Sequence, residues 1–517
     1  MRKRDSQKQR FDDLMANLAS DNEVSDVRVP IHLSEYEPIV RETWKNCDDF
    51  KVAMMEIGST KLMITWLRGL VDRQAMQIGI FEPLTGLDGS DLHDLGQSVE
   101  SRMAAAPIKH CATMAAVSKS MASGCVVIYQ DGLDSVIGVD MNNMPGKAIE
   151  ASQSEPVIEG PQEAFTESLD INVAMLRKRF RNPKFKVEAT ELGELTRTTV
   201  SILYVEGLAP ADLVAEVRQR LSRINIDAIL DINLIREMTK DAPWSPFPTT
   251  ESTERPDKVI AGLVQGRIAI AANGATHMLL APTLFVQSLM ASEDMYSNFW
   301  IVTPIRLLRH IMFWSSILLP SLYVSLLSYQ QDLIPTPLLI SLIGQHEGIP
   351  FPTVFEAFLM QFFFEALREA GQRLPRAVGQ SVSIVGGLVI GDAAVNAGIV
   401  SPGMVIVVAA TGISSFTIAS YTLVNTSRVL QFCFLLSSGL LGLYGVVILG
   451  IMLTTHMVSI RSYGIPYMAP YAPMVIPDMK DSILRAPWWL MRTRPQIYSV
   501  TNEVRNRTPQ PRPQTDQ

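Results

Sequence analysis

The chain is short of the residues that most enzyme and secreted-protein classes require. Its 517 residues include four cysteines (Cys47, Cys111, Cys125 and Cys433), with no paired spacing and no histidine partners. They read as small buried hydrophobes in a reducing compartment, not as a disulfide framework or zinc site. The seven histidines are scattered, without an H-x₃-H pair or an HExxH motif. No G-x-S-x-G elbow, Walker sequence or CxxC occurs, so no catalytic, cofactor or metal site is read and an enzyme is not expected. A net charge of −7 excludes the basic footprint of a nucleic-acid partner. The start, MRKRDSQKQR, runs into FDDLMANLASDNE and not into an apolar core. No secretory signal is read there, and the N-terminal half is expected to stay in the cytoplasm.

What the chain does have is a sharp division. With 19% charged residues and a mean hydropathy of +0.16 it matches neither a plain soluble protein nor a polytopic carrier. Up to about residue 300 it is polar and patterned as α/β structure; from Ile305 to Ile460 long apolar stretches dominate, and polar, Pro-rich sequence follows Arg461. From Ala377 onward there are nine Lys/Arg against five Asp/Glu, so the acidity sits in the first half. The fold class is therefore a soluble α/β N-terminal region of two subdomains followed by an α-helical multi-span membrane domain. Five segments are expected: a disordered arm 1–35, α/β subdomains 36–150 and 151–300, a helical membrane domain 301–465, and a cytoplasmic Pro-rich tail 466–517.

In the first subdomain, Val52–Ile57 and Lys61–Trp66 read as strands around Gly58-Ser59, and Cys125–Tyr129 as a third ending at Asp131-Gly132. Ile108–Ser120 reads as helix. In the second, Phe165–Arg181 is a helix with a basic end, which suits its dipole, and Val200–Val205 is a buried strand. Helix Pro210–Ile224 places Leu213, Val217, Leu221 and Ile224 on one face. Arg267–Ala272 and His277–Leu280 flank Asn273-Gly274, the signal of a two-residue hairpin turn.

In the apolar half, Ile311–Leu327 carries no charge and reads as a spanning helix. Leu333–Ile343 is Pro-broken and reads as an interfacial or re-entrant piece. A Glu-bearing helix follows at about 353–370, a small-residue helix at about 381–400, then Met404–Val424. Val429–Ile460 holds 32 residues without Asp, Glu, Lys or Arg, roughly 48 Å as one helix against a hydrocarbon core of about 30 Å. It must tilt, overrun the bilayer, or break near Gly439, Gly442 and Gly445. Arg368, Arg373, Arg376, Arg428 and Arg461 all favour the cytoplasmic side, which a single pass between Arg428 and Arg461 cannot satisfy. Four or more spans are expected, of open parity. Trp488-Trp489 beside Arg485 reads as an interfacial anchor.

At 100° per residue Gln361, Glu365, Arg368, Glu369 and Gln372 form one polar stripe. The stripe suits a hydrated lumen or subunit contact, and equally the wet side of an interfacial helix. Glu356 lies about 180° from Glu365, on a face with Met360, Phe363 and Leu367. A lone carboxylate on an apolar face needs a partner, a proton or a path, unless it is an interfacial Glu favoured by the dipole after Pro352. Gly387-x-x-x-Gly391 and Ala394-x-x-x-Gly398 read as close helix packing. Asp392 and Asn396 are a second polar pair, suited to a hydrogen bond between subunits or to a pathway.

Several long stretches carry a resemblance: GPQEAFTESLDINVAMLRKRFRNPKFKVE, ILYVEGLAPADLVAEVRQRLSRINIDAILD, ERPDKVIAGLVQGRIAI and FEALREAGQRLPRAVGQSVSIVGGLVIGDAAVNAGIVSP. From about Tyr36 to Pro473 the chain resembles the A subunit of GerA-type spore germinant receptors. One departure is Asp392, where the GxAAVxAGIVS pattern leads one to expect a neutral Gln. The resemblance implies a multi-pass protein of the endospore's inner membrane with a large cytoplasmic N-terminal region. It implies work beside a transporter-like B subunit and a lipoprotein C subunit, among membrane lipids. It also implies assembly into a homo-oligomer, a pentameric ring, acting as a nutrient-gated channel for monovalent cations. On that reading Glu356, Met360, Gln361, Phe363, Glu365 and Glu369 are the pore or gate candidates, with Phe and Met side chains as an apolar gate. The rival reading is a non-conducting scaffold that couples the ligand-binding subunit to cytoplasmic partners.

Overall fold

The computed structural model describes residues 27–57, 60–85, 107–142, 152, 155–374, 387, 389–498 and 504–510. The expected arm 1–35 falls mostly outside them, as do Gly58-Ser59 and the start of the small-residue helix. The chain forms two compact units, one drawn from residues 1–239 and 252–281, the other mainly from 240–251 and 282–497.

The first unit holds two five-stranded sheets. Helix α1 (Leu33–Thr43) precedes strands β1 (Phe50–Ile57), β2 (Thr60–Leu67), β3 (Ile108–Cys111), β4 (Cys125–Gln130) and β5 (Val136–Asp140), with α2 (Met114–Ala122) between β3 and β4. The strand order is β1-β2-β4-β5-β3, antiparallel throughout. The expected helix over Ile108–Ser120 is corrected here: its first four residues pair with β5 and the helix begins only after Thr113. The Thr113 hydroxyl accepts from the Ala116 amide, a cap that fixes the switch from extended to helical backbone.

The second sheet has α3 (Leu169–Arg179), β6 (Phe185–Leu192), β7 (Thr198–Val205), α4 (Ala211–Ser222), α5 (Ile232–Met238), β8 (Glu251–Thr253), α6 (Pro256–Val264), β9 (Ile268–Ala272) and β10 (Met278–Ala281), in strand order β6-β7-β9-β10-β8. The β9–β10 hairpin exists, but Met278 pairs with Ala271, so its connection runs over residues 273–277 and is not a two-residue turn. The Asn273 side chain is used elsewhere, accepting from the Leu169 amide at the start of α3. Leu213, Val217 and Leu221 of α4 are buried as its periodicity requires. The halves are tied by Arg177 of α3, which makes a bidentate pair with Asp49 at 2.8 and 3.0 Å under the Trp44 and Phe185 rings. Burial alone would lower the Arg177 pKa, but the adjacent carboxylate more than offsets this and holds it raised.

The second unit is helical: α7 (Phe299–Ser328), α8 (Thr336–His346), α9 (Thr353–Arg373), α10 (Pro402–Phe416) and α11 (Tyr421–Ser459). Residues 389–396 add a helical segment before α10. Met404–Val424 is not one helix, since α10 stops at Phe416 and α11 starts at Tyr421. Among the described residues, α7 and α11 are long and apolar enough to cross a membrane.

Helix α11 is continuous only in name. Gly442 has φ 61° and ψ −142°, a conformation open to glycine and closed to residues with a Cβ. Thr426 Oγ1 donates to Pro246 O at 2.6 Å, while His456 Nε2 sits 2.9 Å from Ser245 Oγ. On a straight helix positions 426 and 456 would lie about 45 Å apart; instead both meet neighbouring residues of one short segment. The chain therefore reverses at Gly442 into two antiparallel helices. Tyr329, at the end of α7, packs on Gly442, and the Leu443 amide donates to Gln330 Oε1 at 3.1 Å. Arg428 and Arg461 thus lie at the same end of the bundle, which removes the conflict that one pass between them creates.

The bundle is held by an apolar cluster of Phe247, Phe285, Phe313, Ile317, Leu423, Phe434 and Tyr467 with its neighbours. In an apolar surrounding such side chains hold the helices by close van der Waals packing. Part of the segment read as a Pro-rich tail is folded: Arg306 reaches Asp481 at 3.1 Å and the Ser482 carbonyl at 3.2 Å. Trp488 is flanked by Arg485 and Arg505, 5.7 and 5.1 Å from its ring.

Candidate functional site

The chemistry of the helical unit is concentrated on α9. Its sequence (TVFEAFLMQFFFEALREAGQR) starts after Pro352, and two glycines let it sit close to its neighbours. A Cβ on Gly412 of α10 would overlap the Phe364 ring, and one on Gly439 of α11 would lie 2.6 Å from Val354. These are the tight contacts; the predicted packing stripe is looser within the protomer. Among the described residues, a Cβ on Gly391 would meet Val405 at 3.5 Å and one on Gly387 would meet nothing within 4 Å, while Gly398 takes a positive φ of 66°. Ala394 packs on the cluster of Val324, Ala357 and Met404. Asp392 and Asn396 sit one turn apart, both exposed.

The polar residues of α9 separate into two internal clusters and one open face. Near its start, Glu356 is fully buried. Its Oε2 accepts from the Ser401 amide at 3.0 Å, where α10 begins, so the carboxylate meets the positive end of that helix. Its Oε1 lies 3.6 Å from His346 Nε2. Met360, one turn on, is also buried.

Toward the other end, Gln361 Nε2 donates to Glu365 Oε1 and Gln431 Oε1 at 3.2 and 3.3 Å. Glu365 is flanked by Arg368 at 3.2 Å and Arg428 at 3.4 Å. Arg368 also donates to Ser415 Oγ at 2.7 Å and lies 4.8 and 5.1 Å from the Phe364 and Phe416 rings. The stripe through Gln361 and Glu365 therefore finds its partners on α10 and α11. Exposed on α9 are Phe355, Phe362, Phe363, Ala366, Glu369, Ala370, Gln372 and Arg373; among the described residues Glu369 pairs with Arg373, at 2.7 Å on the same face.

His346, Tyr323, Ser401, Ser415, Gln431, Gly412 and Gly439 were not singled out as site residues from the sequence. Ser401-Pro402-Gly403 carries a helix-start signature that points to the α10 terminus. Arg428 and Gln431, three apart at the head of an apolar run, signal one polar helix face. The glycines give no such signal, because their role depends on which ring faces them. Cys433 is exposed, unlike Cys47, Cys111 and Cys125, which corrects the reading of all four as buried.

The chain thus joins a mixed α/β region to an apolar helical unit that holds charged groups in its interior. The family is shown by direct comparison. The model of the Bacillus/Clostridium GerA spore germination protein family matches residues 39–497, and the chain belongs to that family. It is 38% identical to spore germination protein KA of Bacillus subtilis (strain 168) over 456 residues, 88% of this chain and 84% of that one. It is 34% identical to spore germination protein GerLA of Bacillus cereus over 446 residues, 86% and 91% of the two chains. Among solved structures it is similar to the N-terminal domain of the A subunit of the Bacillus megaterium spore germinant receptor GerK3. That match has 28% identity and a TM-score of 0.40, over 50% of this chain and 97% of that one.

Proposed function

We propose that this chain is the A subunit of a nutrient germinant receptor and that it oligomerises in the spore membrane into a nutrient-gated cation channel. Its partners are a transporter-like B subunit and a lipoprotein C subunit. The observation that carries the reading is the open face of α9. Among the described residues Phe355, Phe362, Phe363 and Glu369 are exposed, Glu369 paired with Arg373 of the same face, while Gln361 and Glu365 are bound to Gln431 and Arg428 of α11. An aromatic face ending in a carboxylate suits a dewetting gate beside a cation-attracting ring. Glu356, Met360, Gln361 and Glu365 then act from behind, setting the position of that face.

Orientation follows the same logic. Residues 310–367 contain no Lys or Arg. The reversal at Gly442 gathers Arg428 and Arg461 at one end, with Arg368 beside Arg428 through Glu365. That end is cytoplasmic by the positive-inside rule, the two arms of α11 count as separate passes, and the region before residue 300 is cytoplasmic.

The test is current recording from the receptor reconstituted with its partner subunits. Phe363→Ser opens a nutrient-independent leak by wetting the gate, and Glu369→Gln lowers cation over anion conductance. Absence of current in the wild type and in both variants, with the nutrient response of spores intact, assigns the subunit to the scaffold role instead.

A further inference from the structure

We propose that His346 and Glu356 form a buried single-proton site that fastens the α8–α9 turn to the N-terminus of α10. The argument is one of hydrogen-bond accounting and does not depend on the channel reading. His346 Nδ1 lies 2.9 Å from the Leu342 carbonyl, an acceptor, so Nδ1 carries a hydrogen and donates it. In the neutral ring Nε2 is then a bare acceptor. Opposite it, 3.6 Å away, is Glu356 Oε1, whose partner oxygen already accepts from the Ser401 amide at 3.0 Å. Both facing atoms are shielded from solvent, and neither has a hydrogen-bond partner.

Two acceptors facing each other in a shielded interior repel, and leaving both unpaired is costly. One hydrogen between them turns the repulsion into attraction, an ion pair at 3.6 Å when it sits on the imidazole. A bridging water fits poorly. With contacts of about 2.8 Å to both atoms it would subtend an angle of about 80°, too narrow for two good hydrogen bonds.

Among the described residues, Tyr323 of α7 faces the same pair: its Oη is buried against Gly403, beside Ser401 and Glu356. Glu347, next to His346, is exposed, as is Asp392 on the 389–396 helix. Residues 310–367 hold no Lys or Arg, and α10 presents its backbone amide. Helix α8 buries none of its residues and exposes Leu338, Ile340 and Ile343. A single shared hydrogen at its C-terminal end therefore has a large share in holding it. Loss of that hydrogen leaves two acceptors at 3.6 Å and releases the turn.

Hydrogen–deuterium exchange of residues 336–351 in the full-length protein, in lipid nanodiscs at neutral pH, tests this. Glu356→Gln accepts from Ser401 and offers a permanent N–H to His346, so protection stays at the wild-type level. His346→Ala exchanges about tenfold faster over this segment. Two results overturn the proposal: Glu356→Gln exchanging as fast as His346→Ala, or His346→Ala keeping wild-type protection.

Discussion

The two units of this protein treat their most deeply buried charges differently. In the sheet-bearing unit Arg177 and Asp49 form a two-point pair, and Arg255 holds Asp257 at 2.7 and 3.1 Å while its Nη1 and Nη2 reach the Glu155 and Pro161 carbonyls. Arg68 Nε, by contrast, is buried there without a hydrogen-bond partner among the described residues. In the helical unit, Glu356 Oε1, His346 Nε2, Gln361 Oε1, Gln431 Nε2, Arg368 Nε and Arg428 Nε are buried without hydrogen-bond partners. Where Arg306 meets Asp294 and Asp481, near the polar start of α7, pairing is complete again. A complete pair has one low-energy arrangement and acts as a rigid joint. An incomplete network has several of similar energy, which is what a switching element requires.

The most severe way to break this contrast is Asp49→Ala. It leaves the Arg177 guanidinium buried and uncompensated and costs about 3–5 kcal/mol. Chemical unfolding followed by sheet-specific circular dichroism measures it. The double change Asp49→Leu with Arg177→Met recovers most of that loss if the pair is a joint and nothing more.

A smaller effect separates tight from loose glycines. Gly412→Ala drives a methyl into the Phe364 ring and costs about 1–3 kcal/mol, read as a lower Tm of the helical unit. Gly387→Ala, which meets no atom within 4 Å in the protomer, leaves the monomer's Tm unchanged. A loss of oligomer in that variant, detected by native mass spectrometry, would assign the stripe to subunit contact.

The mildest effect is one of pH. Burial pushes the Cys125 thiol up to about 11 from its ordinary value of about 9. The folded state thus keeps a proton that the unfolded chain releases, and the resulting stability is full below about pH 9 and lost as pH rises toward about 11. Cys125→Ser flattens that alkaline decline in a pH series of unfolding curves.

Much of this was legible in the sequence because it rests on local rules. The strands at Val52–Ile57, Lys61–Trp66 and Val200–Val205 and the Glu-bearing helix follow from hydrophobic run length, glycine and charge placement. For Val429–Ile460 the same rules left a tilt, an overrun and a break near Gly439, Gly442 or Gly445 open, and only the structure chose among them. Ile108–Ser120 was misread because IKHC is held extended by pairing with β5, which lies further along the chain and which no local pattern shows. The site was half legible. A helical wheel separates Glu356 from Glu365, but the same polar stripe serves water, a lumen or another helix equally well.

What the sequence alone determined is therefore the division into an α/β region and an apolar helical region, the presence of carboxylates within that apolar region, and the family. Tertiary structure decided which of those carboxylates are already engaged. The partners of Glu365 and Gln361 come from Arg428 and Gln431, more than sixty positions away, and that of Glu356 from the first amide of α10. Side-chain periodicity fixes directions around one helix axis; only the packing of other helices against that axis determines which directions are filled.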